Sequence, residues 1–431
     1  MSFGRRLVLV AGAAALANAA AAQPAGQKVQ QKVTGPVATY WMSAQTQTGF
    51  GAGMMGGRPS MGAMMGAMMG GGGPQKSLIL QLGSSRQAPT PAAEHVPPEA
   101  LRAGKSLPLV TPKAQPVQKS DETPEMPREY EKPRGRMLIF WGCGERARPG
   151  QPVVIDMAQM AAGKVPAGMA ALSKGLDIRP MQPPSPARNK TYGEWPNERA
   201  RTQVQGASSL AGEHVVRGNY SPEIRFSLTP DQDFLGPLNL TTNDKAPAGF
   251  GRLGWNAVPH ARAYLATAIG GQEETMVLWT SSEVQASAFS MPDYISDRDV
   301  ARLVASRALM GPQTTTCSVP KEVLDAAPQA MVQLVAYGDE ANFVYPPRPQ
   351  DPKVDWNQEW QVKVRYRSAT GGMLGMAMPG MDDPGDEDDG PRAQRPAQDP
   401  RAQDPRAQDP KAKRRNQMLK GLGGALGVPI P

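Results

Sequence analysis

Alternating apolar and polar positions mark strands along much of this chain. The clearest run is 359–367, where Val362, Val364 and Tyr366 point one way and Gln361, Lys363, Arg365 and Arg367 the other. A period of two is what a strand with one buried face imposes. The same alternation appears at 223–229, with Ile224, Phe226 and Leu228 opposite Glu223, Arg225, Ser227 and Thr229, and at 77–82, with Leu78, Leu80 and Leu82 between Ile79 and Gln81. Residues 37–46 read as a first strand. The run 136–143 is apolar on both faces (Met137, Ile139 and Trp141 against Leu138 and Phe140), which predicts a strand covered on both sides. A Pro-Gly turn at 147–150 leads to its expected partner at 152–157. Beyond 231 the pattern becomes regular, with strands expected at 252–258, 263–269, 274–280, 314–319, 331–337 and 359–367. Short strands at this density predict a β-sandwich. One helix interrupts them at 296–310. Ser296 is its N-cap, Asp297 and Asp299 lie in its first turn, Val300, Leu303, Val304 and Leu309 form a face, and Gly311-Pro312 stops it.

Between these runs lie segments that cannot pack a core. Residues 49–73 are a Gly/Met tract read as a disordered loop, and 87–134 read as a Pro-rich connector. Residues 163–219 are rich in Pro, Gly and Arg and yield no assignment. A second Gly/Met segment spans 371–380. After it come an acidic cluster at 382–389 and Ala-Gln-Asp-Pro repeats starting at 397, 402 and 407, whose prolines exclude a helix. The expected fold class is therefore mainly β. A β-rich region covers 23–230, a sandwich with one inserted helix covers 231–368, and a disordered tail covers 369–431.

The start of the chain sets the compartment. Arg5 and Arg6 precede an alanine-rich apolar run over 7–22 that ends in Ala20-Ala21-Ala22 before Gln23. This is the pattern of a cleaved secretory signal, and it predicts export to the periplasm or beyond, with cleavage near Ala22. The run is too short and too alanine-rich for a spanning helix. Charge changes the picture little. The formal net charge of +8 falls to +6 without Arg5 and Arg6, and the basic residues are spread along the chain rather than striped on one element. That excludes a nucleic-acid footprint and suits contact with anionic envelope surfaces.

Within the sandwich, Leu253-Gly254-Trp255 and Val258, followed by Ala263-Tyr264, resemble the start of a fibronectin type III domain, in which a Trp on the second strand precedes a Tyr on the third. Residues 332–338, with Ala336 and Tyr337, resemble its penultimate strand. The resemblance covers about 231–368. It implies a spacer or binding module and carries no catalytic residues.

The candidate chemistry is sparse. Cys143 and Cys317 are the two cysteines. In an exported chain they can join as a disulfide, or each can remain a small buried hydrophobe. Met54, Met55, Met61, Met64, Met65, Met68 and Met69 offer soft thioethers to Cu(I). The acidic cluster lacks the spacing of an EF-hand and reads as solvated. His95, His214 and His260 are too far apart in sequence for a helical metal pair, and no nucleophile elbow or P-loop is present. His260 reads as a surface turn residue. Arg414 and Arg415 beside Met418, Leu419, Leu422 and Leu426 form a short basic amphipathic end suited to a membrane or a partner. The reading is a non-enzymatic envelope protein without cofactor, which binds or scaffolds an envelope protein or membrane surface through its tail and sandwich. A periplasmic copper-binding protein using the methionine loop is the alternative, and a hydrolase with an unrecognised site is third.

Overall fold

A computed structural model of the chain describes residues 31–49, 73–113, 135–164, 176–201, 204–285 and 291–376. The expected signal at 1–22, Met54 to Met69 and the basic C-terminal segment with Arg414, Arg415, Met418, Leu419, Leu422 and Leu426 lie outside them. The described part is mainly β. In chain order the strands are β1 (Val33–Thr34), β2 (Ala38–Gln47), β3 (Gln75–Ser84), β4 (Ala93–Val96), β5 (Leu107–Leu109), β6 (Arg136–Trp141), β7 (Val153–Asp156), β8 (Thr191–Trp195), β9 (Gly212–Gly218) and β10 (Ile224–Leu228). There follow β11 (Leu240–Lys245), β12 (Gly251–Trp255), β13 (Ala263–Gln272), β14 (Thr275–Thr280), β15 (Thr316–Val319), β16 (Met331–Tyr345), β17 (Trp356–Asn357) and β18 (Trp360–Met373). Three α-helices accompany them among the described residues: α1 (Met157–Ala161), α2 (Asp297–Ala305) and α3 (Lys321–Ala326).

Nine strands form one sheet in the order β7-β6-β14-β13-β16-β18-β2-β3-β8. Its neighbours are antiparallel except at two junctions, β6 with β14 and β18 with β2, which run parallel. These junctions stitch strands from before residue 230 onto both sides of β14-β13-β16-β18. The boundary expected at 230/231 is thus not a structural division, because strands from either side of it share one sheet. One face of this sheet is covered by two smaller sheets, β10-β9-β4-β5 and β11-β12-β15. Alternation sends Tyr40, Met42, Leu78, Leu80, Leu82, Tyr264, Leu334, Val362, Val364 and Tyr366 into the shared core beneath them, where they meet Val216, Phe226, Leu253, Trp255 and Val319. On the opposite face, α2 seats Val300 and Leu303 against Leu265, Val335, Tyr337 and Ala369.

Four expectations need correction. The connector at 87–134 contains β4 and β5. Their prolines hid them, yet Pro108 is tolerated because β5 is the edge of its sheet, where a missing N–H leaves no ladder bond unmade. The boundary at 368 cuts through β18, which continues to Met373 by pairing Gly371 and Gly372 with Gln333 and Val332 of β16. The inserted helix does not reach 310. It is capped by Ser296, which accepts from the Asp299 N–H, and ends at Ala305, after which Arg307 turns the chain with φ +60° and Met310 bridges to Tyr264. The strand read at 331–337 is also longer, because Gly338 allows β16 to pass close to β18. A Cβ there would lie 2.9 Å from that of Tyr366.

Candidate functional site

The polar edge of β18 does not simply face solvent. Because β18 and β2 run parallel and in register, Lys363 lies beside Trp41, Arg365 beside Ser43 and Arg367 beside Gln45. Parallel pairing puts these side chains on the same face, opposite the core. Tyr294, in the segment leading into α2, lies over this row and directs its hydroxyl toward the Ala44 carbonyl at 3.5 Å. Cations and rings then alternate. The Lys363 Nζ is 5.8 Å from the Trp41 ring, and the Arg365 guanidinium is 5.0 Å from Trp41 and 4.3 Å from Tyr294. The Arg367 guanidinium follows, 5.4 Å from the Tyr294 ring. Each such contact is worth about 0.5–1 kcal/mol when exposed and more when desolvated.

The ends of this ladder are neutralised and its centre is not. Lys363 pairs with Glu340, and Arg367 pairs with Asp293. Arg365 donates from Nε to the Ser43 hydroxyl at 2.8 Å, but among the described residues no carboxylate lies within ion-pair distance of it. Its partner across the β16 ladder is Glu340, which turns to Lys363 instead. The register of β16 shifts between Tyr337 and Glu340, and that bulge brings Glu340 rather than Asp339 opposite Arg365. Burial lowers the Arg365 pKa from its ordinary value, as expected for a half-buried cation lacking a close counter-ion. Glu340 is itself buried, and its Oε1 has no hydrogen-bond partner among the described residues. Asp297 nearby has its carboxyl raised, first by burial and then by the charges of Glu340 and Asp339.

A second polar assembly sits inside the core. Tyr40 on β2 bonds His95 on β4 at Nδ1. His95 Nε2 lies 3.0 Å from His214 Nδ1 on β9, and His214 Nε2 lies 2.7 Å from the Leu210 carbonyl. That carbonyl only accepts, which orders the rest of the chain. His214 donates from Nε2 and accepts at Nδ1, so His95 donates from Nε2 and accepts from the Tyr40 hydroxyl. Both imidazoles are neutral in this arrangement. Both are fully buried, and Phe226 stacks on His214 with centroids 4.9 Å apart. Burial drives the His214 pKa down to about 4, and burial with the neighbouring His214 drives that of His95 well below its ordinary value. Burial raises the Tyr40 hydroxyl well above its own. The chain ties the nine-stranded sheet to the four-stranded one through satisfied hydrogen bonds.

The two cysteines are joined. Cys143, just past β6, and Cys317, on β15, form a disulfide with their Cα atoms 5.4 Å apart. It links the large sheet to the three-stranded sheet across the core. His260 is exposed, with φ +64°, in the turn before β13, where its Nε2 is 3.8 Å from Asp231. No described helix is long and apolar enough to cross a membrane. The structure therefore gathers two of the three histidines and a cation ladder that single-segment reading kept apart. Sequence offered no signal for the histidine pair, whose members are 119 residues apart. The ladder had one: three cations at alternate positions of a single strand. Comparison with known protein families, curated proteins and solved structures finds no match for the chain.

Proposed function

We propose that the chain is an exported, non-enzymatic binding or scaffolding protein of the cell envelope, built on a fibronectin type III-like sandwich. The observation that carries this reading is the packing of β11-β12-β15 over β14-β13-β16-β18, three strands on four. In it Trp255 of β12 and Tyr264 of β13 meet across the core with centroids 5.7 Å apart. That is the Trp–Tyr placement the resemblance implies, and such sandwiches serve as spacers and binding modules. Export is supported by the arginine pair and apolar run at the start of the chain, and by the disulfide, which persists in oxidising compartments. The tail, with its repeats and basic apolar end, acts as the tether. Fractionation of cells making the full chain, beside a version ending at Pro410, tests this. The full chain should appear in the envelope fraction and the shortened one in the soluble periplasm. Recovery of the full chain in the cytoplasm with Met1 to Ala22 still attached would refute it.

One observation favours a second reading, Cu(I) binding by the methionine-rich tract. Gly49, at the flank of residues 50–72, lies against Gly371 at the start of the second Gly/Met segment, and a Cβ on Gly49 would sit 2.5 Å from the Gly371 carbonyl oxygen. The described residues that flank the first methionine-rich tract and begin the second are thus adjacent, and thioethers suit Cu(I). Saturable Cu(I) binding that is lost on deleting 49–73 would support this reading, and binding unchanged by the deletion would remove it.

A further inference from the structure

We propose that Arg365 is the anchor of a binding site for the carboxylate side chains of an acidic polypeptide partner, which gives the binding-module reading above a ligand class. The guanidinium lies 5.0 Å from the Trp41 ring and 4.3 Å from the Tyr294 ring. Its Nε is bonded to Ser43 at 2.8 Å. The Nη groups make no hydrogen bond or ion pair among the described residues, and the edge of a guanidinium accepts a planar carboxylate in a bidentate pair. The position is preorganised: the ring contacts and the Ser43 bond restrain the side chain, and the parallel register of β18 with β2 fixes the strand beneath. Binding there costs little side-chain ordering.

The neighbours indicate which anion belongs. The ladder runs Lys363, Arg365, Arg367 along one face. Its first cation takes a glutamate, Glu340, and its last an aspartate, Asp293, both from this chain. The middle cation feels the charges of both acids but pairs with neither among the described residues. An Asp or Glu side chain from outside would complete a row of three pairs with one chemistry. The opening arises because Glu340, although the ladder partner of Arg365, pairs with Lys363 instead.

The test is calorimetric titration of the purified full chain with a glutamate oligopeptide at low ionic strength, beside polygalacturonate, polyphosphate and neutral dextran. Wild type is compared with Arg365→Lys, which keeps the charge and loses the fork, and with Arg298→Lys on the exposed side of α2 as a control. The expected result is binding of the glutamate peptide that weakens at least tenfold in Arg365→Lys and is unchanged in Arg298→Lys. Absence of peptide binding by wild type, equal affinity in Arg365→Lys, or tighter binding of polygalacturonate or polyphosphate than of the peptide would each overturn the proposal. If Arg365→Lys does not fold, Tyr294→Leu, which removes one ring wall from outside the strands, should weaken the peptide several-fold, and unchanged affinity would overturn it equally. The titration uses folded protein in isolation. Its failure leaves the export and tethering reading standing, and a cytoplasmic location would leave this site standing.

Discussion

Acidification from pH 7 to pH 5 acts on the buried Tyr40–His95–His214 chain. In the unfolded chain each imidazole takes up a proton near pH 6.5, whereas in the fold burial holds His214 down to about 4. A base whose folded pKa lies below its unfolded one contributes full stability above the unfolded value and loses it as pH falls toward the folded value. At pH 5 the unfolded state is favoured over ~1.5 units of proton uptake, and at about 1.4 kcal/mol per unit this costs ~2 kcal/mol through His214. His95, shifted in the same direction, adds to the loss. The chain contains only three histidines, so few other groups titrate in this window. Urea unfolding at half-unit steps between pH 7 and pH 5 should show the midpoint falling steadily with an unchanged m-value. The double variant His95→Phe/His214→Phe should be less stable at pH 7, because Tyr40 and Leu210 lose their partners, yet nearly flat with pH. A wild-type midpoint that barely moves over this range, or the same slope in the double variant, would refute the assignment of two neutral imidazoles in series.

Further outcomes can be checked by similar means. Reducing the Cys143–Cys317 bridge opens a loop of 174 residues, and chain entropy sets the loss of stability at ~5 kcal/mol, measured as the difference in denaturant midpoint with and without reductant. Tyr40→Phe removes the hydroxyl that His95 Nδ1 accepts from inside the core and should cost ~1–3 kcal/mol, whereas the same change at a solvated tyrosine would cost almost nothing. Gly49→Ala introduces a Cβ 2.5 Å from the Gly371 carbonyl oxygen at a φ of +62°, so the variant should melt several degrees below wild type. Ser296→Ala deletes the α2 cap and should cost ~1 kcal/mol, and retention of the full melting temperature would show that the Asp299 N–H finds another acceptor.

Much of the fold was legible because one face of each principal strand is buried. β3, β10 and β18 carry the period-two pattern, and β6, apolar on both sides, is covered on both sides. Elements escaped where a local rule was overridden by tertiary context. Leu107–Leu109 reads as a Pro-rich connector until an edge position makes its proline harmless, and Gly371-Gly372 reads as a breaker until β16 supplies the pairing. The outward residues of β18 were legible as a polar face but not as a site. Their chemistry depends on Trp41, near the opposite end of the described chain, and on Tyr294, which no strand period includes. His95 and His214 were unreadable as a pair for the same reason, since only the stacking of a small sheet on a large one brings them together.

The parallel seam between β18 and β2 also has a kinetic consequence. It joins Ala38 to Trp360, so the middle of the largest sheet is closed by contacts between the two ends of the described chain. Such non-local pairing is costly in loop entropy and slow to form. During synthesis the hairpin of β2 and β3 emerges early with its outer edge unsatisfied, and it must wait for the last strand. A chain built this way stays open while it is being made, and its largest sheet locks only when the last described strand arrives.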